Sequence, residues 1–106
     1  MNETLKAAIK QFGVPNQLDM VIEECAELIQ AINKAKRAGI VKEWGIAHPS
    51  KESTMSEIEA YNNLVSEFSD NKIMLGQLDL MLQKDFTELS ILRKLNRLKT
   101  KLQNGN

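Results

Sequence analysis

An all-α bundle of about four helices is the fold this sequence predicts, and three observations predict it. Apolar residues recur three and four positions apart over four stretches, the period of a helix buried along one face. Glycine, proline and clustered serines break that period near residues 13–15, 39 and 45–54, dividing the chain into helix-sized pieces. Aromatic residues are 5% of the 106 positions against 42% apolar, a balance that suits a helical bundle better than a β-sandwich. A chain of this length is expected to form one domain over residues 1–106.

Asn2 is expected to cap a short first helix, with Glu3 in its first turn and Leu5, Ala8, Ile9 and Phe12 on its apolar face. Gly13 and Pro15 should end it. Asn16 is the candidate cap of a second helix over 17–37. Its last turns hold Lys34, Lys36 and Arg37, and Gly39 follows as the C′ residue. Residues 40–55 are the least regular part, with room for a short helical piece. Trp44 in that loop either stacks on a base or pins the loop to the bundle, and pinning is the favoured role. A long helix is expected over 56–83, capped by Thr54 or Ser56. Asp85 should cap a last helix over 86–102. Phe86, Leu89, Leu92, Leu95, Leu98 and Leu102 lie along its apolar face, and Arg93, Lys94, Arg97, Lys99 and Lys101 make the other side basic.

The chemistry is concentrated in two acidic strings. Glu23, Glu24 and Glu27 share one side of the second helix, and Glu67 and Asp70 form an i,i+3 pair on the third. At about 100° per residue, Leu18, Val21, Ile22, Cys25, Leu28, Ile29 and Ile32 fill a broad arc expected to face the core, with the acids opposite. On the third helix Leu64, Phe68, Leu75, Leu78 and Leu82 make the main stripe, with Glu67 and Asp70 on its edge. Val65, Ile73 and Leu80 form a second strip. A helix apolar on two sides is buried between partners, so acids on it are costly unless paired or metal-bound. Five carboxylates brought face to face would suit Mg²⁺ or Mn²⁺; the plainer alternative is a set of solvated helix acids. The same two-sided pattern predicts that the bundle is completed by dimerisation or tetramerisation.

Several classes are excluded or disfavoured. Fourteen basic residues balance fourteen acidic ones, so no basic footprint advertises nucleic acid. No apolar run is long enough to span a bilayer, and no charged-then-apolar leader is visible. Cys25 has no partner for an internal disulfide and is expected to be a buried thiol of a reducing compartment, the cytoplasm by default. His48 has no zinc-like Cys/His spacing and no triad company. No glycine-rich phosphate loop is present, so any phosphate chemistry must be metal-based.

Phe12-Gly13, Asn16 to Met20 and Glu23 to Leu28, followed by Leu64 to Asp70 and Ile73 to Leu75, resemble the two motifs of MazG-like all-α nucleotide pyrophosphohydrolases, most closely small stand-alone members from phages and Gram-positive bacteria. The resemblance covers about residues 12–37 and 63–83. It implies a tight dimer, often a higher oligomer, and cleavage of a nucleoside triphosphate between its α- and β-phosphates. Carried over, Glu23, Glu24, Glu27 and Asp70 would be Mg²⁺ ligands, and Glu67 a ligand or the group orienting the attacking water. Glu24 and Glu67 are the catalytic candidates, and Mn²⁺ should substitute for Mg²⁺. Gln17, Lys34 and Trp44 are candidate substrate contacts; Lys34 could meet a phosphate or simply complement the helix dipole. The interval from Glu27 to Glu67 is longer than in the simplest members, so about 40–62 reads as an insertion. Ser69 and Asn71 are polar where the family usually has apolar residues, and they flank Asp70 in positions to hydrogen-bond ligands.

The competing reading is a non-catalytic helical homodimer or adaptor whose acidic face binds a basic partner, or whose leucine-rich last helix enters a groove. Metal dependence separates the two.

Overall fold

Four helices and one small ribbon follow one another in the computed structural model, which describes residues 1–82 and 84–105. Helix α1 spans Asn2–Phe12 and α2 spans Val14–Ala38. Strands β1 (Val41–Lys42) and β2 (Gly45–Ile46) precede α3 (Met55–Met81) and α4 (Lys84–Gln103). The all-α class and the four helices agree with the sequence periodicity, and among the described residues no helix is long and apolar enough to cross a membrane.

The turn between α1 and α2 is tighter than expected. Gly13, at φ 86, ends one helix and caps the next, a conformation that favours glycine. Pro15 therefore opens α2, where a missing N–H is harmless, and does not terminate α1. Asn16 is inside α2 and does not cap it. Its side-chain amide donates to the Phe12 carbonyl at 2.8 Å, satisfying the end of α1. Asn2 likewise falls within α1, with Met1 at the cap position and no side-chain cap bond. Gly39 takes the left-handed conformation expected of it, at φ 78.

Residues 41–46 form an antiparallel ribbon where a loop or short helix was expected, pairing Val41 with Ile46 and Lys42 with Gly45. Two bonds brace its base: Lys42 Nζ to the Gly39 carbonyl at 2.9 Å, and the Ala47 N–H to the Ile40 carbonyl at 2.8 Å. Trp44 does not pin this segment. It sits at the ribbon tip, 92% exposed. Ile40 is the anchor, buried with Ala35 and Ala60 and flanked by Ala47, Tyr61 and Leu64. The ring of His48 meets Tyr61 edge-on at 5.2 Å. Thr54, not Ser56, caps α3 in a reciprocal box with Glu57. The Glu57 N–H donates to Thr54 Oγ1 at 3.1 Å and the Thr54 N–H donates to Glu57 Oε1 at 2.8 Å; the Thr54 backbone bond first, then its side chain, hold the Glu57 carboxyl below its ordinary range. Of the presumed insertion at 40–62, residues 55–62 are the opening of α3.

Helices α2 and α3 run antiparallel, Ala35 meeting Ala60 at one end and Glu24 meeting Asn71 further along. Their buried residues are small or polar: Gln17, Ala31 and Ala35 with Val21 on α2, and Ala60, Asn71 and Gln77 on α3. Only part of the expected apolar faces lies in the contact, through Val21 and half-buried Leu28 on α2 and half-buried Leu64 and Leu78 on α3. Leu18, Ile22, Ile29 and Ile32 on α2 are exposed, as are Phe68, Leu75 and Leu82 on α3. Alanines let two backbones approach closely, so the helices meet through them and turn their bulky residues aside. Cys25, expected to be buried, is half-exposed for the same reason.

Helix α1 seals one end of the pair through Leu5, and a Cβ on Gly76 would lie 3.1 Å from its Cδ1. Helix α4 begins with Asp85 already inside its first turn. It leans on the C-terminal corner of α3, and none of its described residues is buried. The radius of gyration is 17.5 Å, against about 13 Å for a compact domain of this length.

Enlarging the alanine seam should be costly. Ala60→Leu is expected to lower stability by about 1–3 kcal/mol and Thr54→Ala by about 1 kcal/mol, both read by urea unfolding. A neutral Ala60→Leu would contradict the close approach.

Candidate metal centre

The antiparallel register sets one turn of α2 against one turn of α3, and the two acidic strings meet there. Glu24, Glu67 and Asp70 each offer a carboxylate oxygen, and these oxygens lie within 4.8 Å of one another. Asn71 holds the two helices at this level. Only 3% exposed, its Nδ2 donates to the Glu24 carbonyl at 2.6 Å and to the Glu67 carbonyl at 3.0 Å. A single amide thus ties together the backbones of two of the three acids. It does not touch their carboxylates. Ser69, the other polar departure, donates to the Val65 carbonyl within α3 at 2.8 Å and takes no part in the cluster.

The carboxylates are electrostatically frustrated. Glu24 and Glu67 are half-buried, and the Oε2 of each is buried with no hydrogen-bond partner. Burial is the main cause raising the pKa of Glu24 above its ordinary value, followed by the charges of Glu27, Asp70 and Glu67. Burial also leads for Glu67, followed by a hydrogen bond and charge from Glu27, then by Asp70. Among the described residues no lysine or arginine forms an ion pair with these acids. Such a group is relieved by a proton or by a cation. An all-oxygen donor set with buried, unpartnered oxygens fits a hard divalent ion such as Mg²⁺ or Mn²⁺.

The remaining candidates are placed unequally. Glu27 is exposed but lies against Glu24 and Glu67, as their shared interaction with it requires. Glu23 is exposed, about 100° around the helix from Glu24, and outside the cluster. Gln17 is buried in the wall of a 560 Å³ groove that also includes Phe12, Asn16, Met20 and Met74. Met20 lies one turn before Glu24 and Met74 one turn after Asp70, so the groove adjoins the acids. Lys34 is exposed, two turns or about 10 Å beyond Glu27 along the helix. Trp44 is more remote, since its ribbon begins after Gly39, about 22 Å of helix past Glu24. Gln17 alone of the three expected substrate contacts borders the acids. The bridging role of Asn71 was not foreseen, although an asparagine within a helix is a signal, because its amide competes for backbone partners.

No family model, curated protein or solved structure matches this chain.

Folding favours the protonated forms of Glu24 and Glu67, whose folded pKa values are raised. Their contribution to stability is complete below the ordinary value of 4.5 and is lost as pH rises through the folded values. Metal-free protein should therefore lose stability as pH rises from that point toward neutral. Glu67→Gln should flatten this loss and raise Tm at neutral pH, as measured by thermal unfolding in EDTA; an unchanged pH profile would contradict the frustrated cluster. Asn71→Leu should lower stability by about 1–3 kcal/mol and weaken Mn²⁺ binding about 10–100-fold. Urea unfolding and calorimetric titration check the two effects.

Proposed function

We propose that this chain is a Mg²⁺-dependent nucleoside triphosphate pyrophosphohydrolase of the MazG-like kind, releasing pyrophosphate and a nucleoside monophosphate. The observation that carries the reading is the interhelix cluster with two buried, unpartnered carboxylate oxygens. Glu24, Glu67 and Asp70 would hold the metal, with Glu27 at its edge. Bound Mg²⁺ would neutralise phosphate charge and lower the pKa of a water. Glu24 and Glu67, with their raised proton affinity, are suited to orient that water and accept its proton. The nucleoside would lie in the groove beside Gln17, next to the acids. The working unit would be a homodimer or tetramer acting on a cytoplasmic nucleotide pool, with no nucleic-acid or membrane partner.

A second reading, a non-catalytic homo-oligomeric module, draws on the exposed apolar residues of α2, α3 and α4. It requires neither metal nor turnover.

Pyrophosphate release is expected from at least one member of a panel of ribo- and deoxyribonucleoside triphosphates, with Mg²⁺ or Mn²⁺ and not in EDTA. Glu24→Gln and Asp70→Asn should each lower kcat/KM at least about 100-fold, since ligand loss exceeds the usual effect of losing a supporting residue. Silence across the panel from folded protein that binds no metal would favour the module.

A further inference from the structure

The chain leaves far more surface uncovered than its mass predicts. It exposes 8400 Å², against about 6000 Å² for a folded monomer of 12.0 kDa. Two such copies hold an excess in the range that obligate homodimers bury, about 2,000–5,000 Å². Exposed apolar residues occur on every element, and those on the three longest helices include aligned stripes. On α2 the exposed stripe runs Leu18, Ile22, Ile29 and Ile32; on α3 it runs Phe68, Leu75 and Leu82. Because the helices are antiparallel, both stripes turn to the same side of the pair and form one flank. A third stripe, Ile91, Leu95, Leu98 and Leu102, follows the four-three-four spacing of a helix-packing seam on α4.

Charge decides which surfaces meet. Lys94, Lys101 and Lys99 border the α4 stripe, and no acid lies between Arg93 and the end of that helix. Pairing α4 with another α4 in parallel, or antiparallel over the 91–102 stripe, would set lysine against lysine. One end of the α2–α3 flank is acidic, with exposed Asp19 and Glu23 on α2 and Asp79 on α3, while Lys72 lies further along, over the ring of Phe68. Within the same chain Thr87 and Ile91 of α4 line a groove with Leu75, Asp79 and Leu82, while Leu95, Leu98 and Leu102 are exposed beyond it.

We propose that a second copy of this chain covers the α2–α3 flank, and that it does so with its α4, lysine borders alongside Asp19, Glu23 and Asp79. The exchange is reciprocal: each copy gives one α4 and receives one. It refines the oligomer named above and is independent of the catalytic reading, because it invokes neither metal nor turnover.

The test uses the full chain in sedimentation equilibrium at micromolar concentration, with helix content followed by circular dichroism. Wild type should have twice the chain mass or a larger even multiple. Asp19→Lys with Glu23→Lys in one variant, and Lys94→Glu with Lys101→Glu in another, should each weaken association at least about tenfold. An equimolar mixture should recover it as a mixed dimer. Leu95→Asp with Leu98→Asp should give a monomer; if that variant loses its helices, the charge variants still decide. A monomeric wild type would overturn the proposal. So would tighter self-association of the α4 glutamate variant, as relief of lysine repulsion predicts for α4 paired with α4.

Discussion

The amide of Asn71 fixes the relation on which the rest of this structure depends. Its two hydrogen bonds reach one carbonyl on each long helix, so they set the level at which α2 and α3 face each other. A slide by one turn would break the bond to Glu24 and carry Glu24 about 5 Å from Glu67. Alanines at 31, 35 and 60 then let the backbones close. The contact between the helices is consequently narrow, built from small and polar groups where aliphatic packing was expected.

Two consequences follow from that contact. Carboxylates from both helices are pressed together with no compensating base among the described residues, and burial of one oxygen each on Glu24 and Glu67 makes their charged forms costly. The cluster is thus held by the backbone register and opposed by its own electrostatics, and the metal proposal rests on that conflict. The second consequence is that the large aliphatic residues contribute little within one chain. Among the described residues no large side chain is fully buried, and α4 stands clear of the core. The proposed association would add the apolar burial that a single chain lacks, and the charges at its borders would give it a direction.

Periodicity and breakers made much of this legible in the sequence. The helices, the left-handed Gly39 and the Thr54 cap follow from local chemistry that acts over a few residues. The meeting of Glu24 with Glu67 and Asp70 was also readable, because acids on otherwise apolar helices are rarely placed at random. What local patterns did not reveal is which side of α2 faces α3. An arc of isoleucines and leucines looks like an intramolecular core whether its partner is the same chain or another, and here three alanines and Asn71 outrank it. Trp44 was misplaced for a related reason: its size suggested an anchor, yet the turn at Gly39 delivers Ile40 to the core and leaves Trp44 at the tip of the ribbon.

The most direct test of the metal centre is an anomalous difference map from crystals of the full chain grown with Mn²⁺. A peak bounded by the Glu24, Glu67 and Asp70 carboxylates, lost in Asp70→Asn crystals, is the expected result. A map with no peak there, from well-ordered crystals at millimolar Mn²⁺, would contradict the assignment and leave the acids as a proton-sensitive feature of the helix seam.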